Sequence, residues 1–280
     1  IGYVPFFRLL IVMIRSYFLL ILVFIQLSLP QEKSETNGPY KSNWMMDGLT
    51  FGAGVVVALT ASAIDDNLPK PSLAEINGLN RNDVNFFDRA AAGNFSKSQM
   101  TASDMTLFVS FASPLALLID DKIRDDWGTI TAMYFEMALF SNFIPSYGKG
   151  SVRRFRPYVY GSSASMEDKQ DIEALRSFFS GHATRAFAAG VMTAIIYEDY
   201  FPTSEYRTHV WITSLTFASS CAILRVTSGA HFPTDVIVGA AIGSGIGYLI
   251  PYVHRSKTNA LSLTPTISPY SNNLTLTLRF

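Results

Sequence analysis

The sequence predicts an all-α protein: an antiparallel bundle of about six core helices, preceded by an apolar N-terminal segment and followed by a short β tail. Three observations predict it. Hydrophobic residues make up 49% of the 280 and charged residues only 16%, against roughly 25% charged in ordinary soluble domains. The long apolar stretches are rich in Ala and Gly and show no sustained two-residue alternation, so they read as helices. A single cysteine, Cys221, excludes an intrachain disulfide framework and a Cys-rich zinc site. Basic and acidic residues balance at 22 each, without the basic excess of a generic nucleic-acid binder. The mean hydropathy of +0.22 is modest for a bundle wholly exposed to lipid.

Residues 1–30 are the greasiest stretch. Arg8 and Arg15 precede SYFLLILVFIQLSLP, and the polar run QEKSETNGPYKSN follows. A basic start, an apolar centre and a polar exit are the parts of an export signal, either cleaved or retained as an anchor. Residues 31–104 hold a polar segment, a first helix and a long loop in which LAEI and VNFFDRAAA read as short helices. Residues 105–255 form the helical core. Apolar segments lie at 47–64, 105–119, 128–147, 180–197, 208–224 and 235–253. In the last of them Gly239, Gly243 and Gly247 stand four apart, a stripe that admits a neighbouring helix closely. Residues 256–280 alternate apolar and polar around PYSNN, the pattern of a β-hairpin.

Most of these segments are shorter than the roughly 20 residues of a membrane span, and the third carries Glu136 and Asn142. Either fate of the N-terminal segment leaves residue 31 outside the cytoplasm. Six spans would then put loop 148–179 inside it. The lengths favour an exported compact bundle, docked on or partly inserted in a membrane. The alternative is a six-span inner-membrane protein.

Three clusters carry chemistry. In KGSVRRFRP, residues 149–157, Lys149, Arg153, Arg154 and Arg156 concentrate positive charge in a chain poor in it. That charge suits either a phosphate, whose oxygens match the guanidinium fork, or a basic anchor beside a span. In FSGHATRAFAAG, residues 179–190, Ser180, Gly181 and His182 stand where a helix begins. Unpaired N–H groups there favour an anion, and Ser180 is equally a good helix cap. In RVTSGAHFPTD, residues 225–235, His231 and Asp235 are four apart. At helical spacing the carboxylate would fix the imidazole tautomer that a nucleophilic histidine needs. In an antiparallel bundle all three clusters fall at one end, and His209 and His254 at the other, as structural or solvent-facing residues.

Together the clusters resemble the signature of the type-2 phosphatidic acid phosphatase and vanadium haloperoxidase superfamily. Lys149 is followed by six residues and Arg156-Pro157; Ser180-Gly181-His182 and then Arg225, His231 and Asp235 complete it. Phe179 stands where the family has Pro, and Leu224 where it has Ser. The resemblance implies that His231 attacks phosphorus, that Asp235 orients it, and that His182 protonates the leaving oxygen and then activates water. It also implies that Lys149, Arg156, Ser180, Gly181 and Arg225 hold the phosphate. Arg153 and Arg154 lie outside the signature and receive no catalytic role. The implied reaction needs neither cofactor nor metal. Its substrate would be a lipid phosphate at a bacterial envelope membrane, such as phosphatidic acid, a polyprenyl pyrophosphate or a lipid A phosphate. Vanadate or inorganic phosphate would occupy the same cradle. The alternatives are a nonspecific exported acid phosphatase, a vanadate haloperoxidase and a non-enzymatic membrane bundle.

Overall fold

The computed structural model describes residues 38–42, 44–66, 69–256, 261–268 and 271–278. The expected signal or anchor, residues 1–30, lies outside them. Among the described residues the protein is mostly helical, as the composition predicts. Six helices have at least 20 residues: α1 Trp44–Asp66, α2 Lys97–Ala116, α3 Trp127–Val152, α4 Gly181–Tyr200, α5 Arg207–Thr227 and α6 Pro233–His254. The strands Leu261–Ser268 and Ser271–Leu278 pair antiparallel, with Leu261 opposite Leu278 and Ser268 opposite Ser271.

Helix ends depart from the apolar segments wherever polar residues continue a helix. The loop expected over 65–104 gives up its last part to α2, which starts at Lys97 because the Ser96 hydroxyl accepts the Gln99 N–H at 3.4 Å. Short helices at Leu73–Asn77 and Phe86–Arg89 occupy the rest. Helix α3 runs on through Lys149 to Val152 and stops at Arg153, whose φ of +46° is left-handed. That conformation ends a right-handed helix in one residue.

These extensions alter the argument from length. Helices α1, α2, α5 and α6 contain stretches long and apolar enough to cross a membrane, and only 17–33% of those stretches is buried in the protein. Their outward faces carry Val56, Leu59, Phe108, Ile212, Ile237 and Leu249, all exposed. Apolar side chains on the outside of a bundle match a lipid solvent. The reading with few or no full spans therefore loses its support from segment length.

Helix α4 is the axis, in contact with α2, α3, α5 and α6. Small residues let the others approach it: Ala183, Ala186, Ala188, Ala189, Gly190 and Ala194 are all buried. Met133 and Met137 of α3, Met192 and Ile196 of α4 and Ile250 of α6 fill the core beside them. The glycine stripe of α6 faces α4 directly. A methyl group at Gly243 would lie 2.2 Å from the Thr184 carbonyl oxygen, at Gly247 2.2 Å from that of Ala188, and at Gly239 2.6 Å from that of Ser180. Backbone thus meets backbone along the whole contact.

Substitution along this seam has a defined outcome. Gly243→Ala forces the two helices apart and should lower stability by about 1–3 kcal/mol, the usual cost of overpacking. Gly245→Ala meets nothing within 4 Å and should be neutral or stabilising through helix propensity. Thermal unfolding in detergent compares the two. Equal melting temperatures would refute the close approach.

Candidate active site

The site is assembled by three loops at the end of the bundle where α3 stops and α4 and α6 begin. Backbone hydrogen bonds knit them: Arg156 N–H to Ala174 O at 2.8 Å, Ser177 N–H to Arg154 O at 3.0 Å, Tyr158 N–H to Gly229 O at 3.1 Å and Gly93 N–H to Pro157 O at 2.7 Å. The Ser180 N–H donates to Asp235 O at 3.1 Å, joining the starts of α4 and α6. Phe179 continues the junction. Its ring lies over Gly148, where an added methyl would come within 2.6 Å.

All eight residues singled out in the sequence come to this end. Lys149 stands half-buried in the last turn of α3. Arg156 and Arg225 are 8% and 6% exposed. Arg156 Nη2 donates to Glu173 Oε2 at 2.6 Å. Arg225 Nη1 donates to Ser103 Oγ at 3.2 Å and lies 3.6 Å from Asp104 Oδ1. The Nε of each is buried and has no hydrogen-bond partner among the described residues. An orphaned guanidinium N–H is costly to bury, and both are suited to an anion's oxygen. Ser180 is fully buried and caps α4, its Oγ accepting the Ala183 N–H at 3.3 Å. This leaves its own hydroxyl proton as a donor. Gly181 is the first residue of α4, so its N–H belongs to the open helix end.

His231 is 2% exposed, with Nδ1 2.6 Å from the Ser177 carbonyl oxygen. A carbonyl only accepts, so Nδ1 carries the proton and Nε2 the lone pair. Burial, then the charges of Arg156, Arg225 and Lys149, press its pKa well below the ordinary imidazole value. The ring is therefore neutral. His182 Nε2 lies 2.9 Å from Asp104 Oδ1, and its Nδ1 lies 3.3 Å from Arg185 Nη2. Burial and the charges of Arg225, Arg185, Arg156 and Lys149 likewise depress its pKa. Glu173 is half-exposed, and although desolvation opposes its ionisation, the charges of Arg156, Lys149, Arg176 and Arg225 hold its carboxyl below the usual range.

One expected contact differs. Asp235 Oδ2 is 3.9 Å from His231 Nδ1, beyond hydrogen-bond reach. Helix α6 starts at Pro233, so His231 precedes it and the four-residue spacing does not place the two side chains on one helical face. Asp235 instead accepts from Ser177 Oγ at 2.5 Å, from the Phe232 N–H at 2.8 Å and from Arg154 Nη1 at 2.6 Å. Ser177 thus relays Asp235 to His231: its hydroxyl goes to the carboxylate, its carbonyl to the imidazole.

Sequence reasoning gave no part to Arg154, Asp88, Ser177, Asp104 or Glu173. Arg154 Nη2 donates to Asp88 Oδ2 at 2.6 Å, and its guanidinium sits 4.2 Å from the centre of the Phe232 ring. Asp88 accepts the Thr234 N–H at 3.0 Å and the Thr234 hydroxyl at 2.6 Å, so it caps α6 from a short helix distant in the chain. Burial opposes its ionisation, but the hydrogen bonds from Arg154, Thr234 and Asn85 outweigh that and hold its carboxyl below the usual range. The only hint in the sequence was Arg154's place in the basic run. Of the two remaining histidines, His209 is exposed and His254 is buried.

Comparison with known proteins finds similarity over the same part of the chain. Residues 127–259 match the model of the PAP2 superfamily, and all eight residues lie within that stretch. A protein named lipid A 1-phosphatase from Rhizobium etli is 30% identical over 148 residues, 52% of this chain and 59% of that protein. The protein of the same name from Rhizobium johnstonii is 30% identical over 148 residues, 56% of its length. The chain thus spans less than two thirds of these relatives. The crystal structure of the first transmembrane PAP2 type phosphatidylglycerolphosphate phosphatase from Bacillus subtilis aligns at 20% identity with a TM-score of 0.42. That alignment covers 71% of this chain and 94% of that one.

The electrostatics of His231 can be tested directly. Nitrogen NMR of histidine-labelled protein should show the Nδ1–H tautomer and a ring still neutral at pH 5. A midpoint near the ordinary 6.5 would contradict the buried, cation-faced environment. The folded pKa is depressed, so the unfolded chain binds the extra proton first. This group's contribution to stability therefore falls as pH drops below about 6.5, and His231→Gln should lessen that acid sensitivity.

Proposed function

We propose that the protein is a PAP2-type phosphatase that removes phosphate from a membrane lipid through a phosphohistidine on His231. The observation that carries this reading is a buried neutral histidine with its lone pair on Nε2, in the field of two buried guanidinium groups whose Nε–H donors have no partner among the described residues. A neutral imidazole lone pair attacks phosphorus in line, and the ester oxygen leaves. The imidazolium formed is stabilised by the Ser177 carbonyl, which Asp235 and Arg154 hold in place. The non-bridging oxygens lie against Lys149, Arg156, Arg225, the Ser180 hydroxyl and the Gly181 N–H. Fixed donors of this kind stabilise the charge of a transferring phosphoryl group without reorganisation.

His182 then has two tasks. The cations keep it neutral, but the negative charge of a phosphate ester offsets their field and lets the ring take up a proton. It delivers that proton to the leaving oxygen. Neutral again, it removes a proton from the water that attacks the phosphohistidine, and His231 is restored.

A lipid substrate is supported by three features. The outward faces of the long helices are apolar. A cleft of about 290 Å³ lined by Leu107, Phe108, Phe111, Leu115 and Tyr134 also contains Asp104 and Arg185, the two residues that contact His182. Phe86 and Phe87 are largely exposed beside Asp88, an apolar projection at the same end. The named activity of the Rhizobium relatives also concerns a lipid phosphate.

Phosphate release from phosphatidic acid, a polyprenyl pyrophosphate and a lipid A 1-phosphate, with a soluble chromogenic ester as comparator, tests the proposal. Turnover should be highest with one of the lipids and be inhibited competitively by vanadate, less so in Arg225→Ala. His182→Ala should lose roughly 10²–10⁴-fold. His231→Ala should lose all activity and the acid-labile phosphoenzyme. Preference for the soluble ester would favour a nonspecific phosphatase. No turnover of any ester would defeat the enzyme reading.

We also propose that the active end faces away from the cytoplasm, in keeping with the signal-like character of residues 1–30. Ser162 is exposed in the loop between the first two motifs and Cys221 is buried. In a Cys221→Ala background, Ser162→Cys should react with an impermeant maleimide in cells whose outer membrane alone is permeable. Labelling only after inner-membrane lysis would place the site in the cytoplasm.

A further inference from the structure

At the far end of the bundle, about 30 Å along α6 from Asp235 at the helical rise of 1.5 Å per residue, three helices bring together a second group of ionisable side chains. Asp47 comes from the first turn of α1, Glu136 from α3 and His254 from the last turn of α6, at 5%, 0% and 4% exposure. One ligand-capable atom from each lies within 4.8 Å of the other two. His254 Nε2 is 3.1 Å from Asp47 Oδ1 and 3.7 Å from Glu136 Oε2.

The histidine tautomer decides what these atoms can do. His254 Nδ1 is 2.8 Å from the Ile250 carbonyl oxygen, which only accepts, so Nδ1 carries a proton. On a neutral ring, Nε2 then turns a lone pair toward two carboxylates. Glu136 Oε2 is buried, and among the described residues no hydrogen-bond donor reaches it. A second proton on the ring would satisfy Asp47 but leave a buried net charge of −1 and Glu136 Oε2 still without a donor. A divalent cation instead brings the group to zero and occupies all three ligand atoms.

We propose that Asp47, Glu136 and His254 form a structural site for a divalent transition-metal cation, Zn²⁺ by its ligand chemistry, which ties α1 to α3 and α6. The distances of 3.1 and 3.7 Å bracket the edge of about 3.3 Å that metal–ligand bonds of about 2.0–2.1 Å give in a tetrahedron. An imidazole with two carboxylates suits zinc better than magnesium, which prefers an oxygen octahedron rich in water. Each ligand also has an outer partner fixing it. Ser42 Oγ donates to Asp47 Oδ2, Thr50 Oγ1 donates to Glu136 Oε1, and Ile250 O holds the Nδ1–H of His254. Metal ligands are characteristically oriented in this way. Helix α1 packs chiefly on α3, so ligands from three helices would fasten its first turn to the end of α6.

The untagged full chain, purified in detergent, should carry about one zinc per molecule by elemental analysis. Stripping with a chelator should lower its melting temperature, and Zn²⁺ but not Mg²⁺ should restore it. Co²⁺ loaded in place of zinc should give the visible absorption of a tetrahedral site. Glu136→Gln and His254→Gln should weaken metal retention by more than the roughly 10–100-fold that losing a ligand's hydrogen-bond partner costs and abolish the cobalt spectrum, with helical circular dichroism reporting that they fold. Where either variant fails to fold, zinc titration of the stripped wild-type chain decides. The proposal is overturned if the untreated chain holds less than a tenth of an equivalent of divalent metal and the stripped chain takes up no zinc. Undiminished metal in both folded variants overturns it equally.

Discussion

A methyl group at Gly243 of α6 would fall 2.2 Å from a carbonyl oxygen of α4, and the rest of the structure follows from that closeness. Two helices can run backbone to backbone only where neither presents a side chain at the seam. Here α6 supplies three glycines, which meet the backbone of Ser180, the cap of α4, and of Thr184 and Ala188 within it. The seam ends in the Ser180 N–H bonded to the Asp235 carbonyl. The anion-seeking start of α4 and the loop bearing His231 are therefore brought together by packing, before any charge interaction between them.

Charge then stabilises a junction that packing alone would leave strained. Several cations converge there, and three of the arginines each have a carboxylate counterweight. Arg156 meets Glu173, Arg225 meets Asp104, and Arg154 meets Asp88 and Asp235. Asp88 and Asp235 are fully buried, and removing their shared arginine would leave two carboxylates without it, a change of the class that costs about 3–5 kcal/mol. Arg154 is thus a positioning residue: it anchors Asp235, which holds Ser177, whose carbonyl fixes His231. Among the described residues, no group takes up the Nε–H of Arg156 or of Arg225.

Both ends of α6 are ordered by carboxylates from distant segments. Asp88 receives the Thr234 N–H at its start, and Asp47 and Glu136 face His254 at its finish. Between them the helix is almost wholly apolar, with an exposed face of Ile237, Tyr248, Leu249 and Val253. In a lipid environment such a helix gains little from burying its outer face against protein. Polar anchors at its two ends, with the glycine seam between, fix its position along the bundle axis.

The amino-acid sequence by itself determined the helical class, through long apolar runs without two-residue alternation, and three motifs resembling the superfamily signature marked the eight residues expected at the site. Periodicity could not find helix ends built from polar residues, so α2 was read from 105 although a serine cap starts it at Lys97. It also overstated the directness of the His231–Asp235 pair, because four-residue spacing puts two side chains on one face only inside a helix, and this helix starts between them. Asp88, Ser177, Asp104, Glu173 and Asp47 carry no local mark, and Glu136 is marked only as a charge in an apolar run, since each acts on a residue remote in the chain. Only the tertiary structure decided those partnerships. A carboxylate's role depends on which buried cation or N–H comes within about 3 Å of it, and that distance is set by how the helices pack.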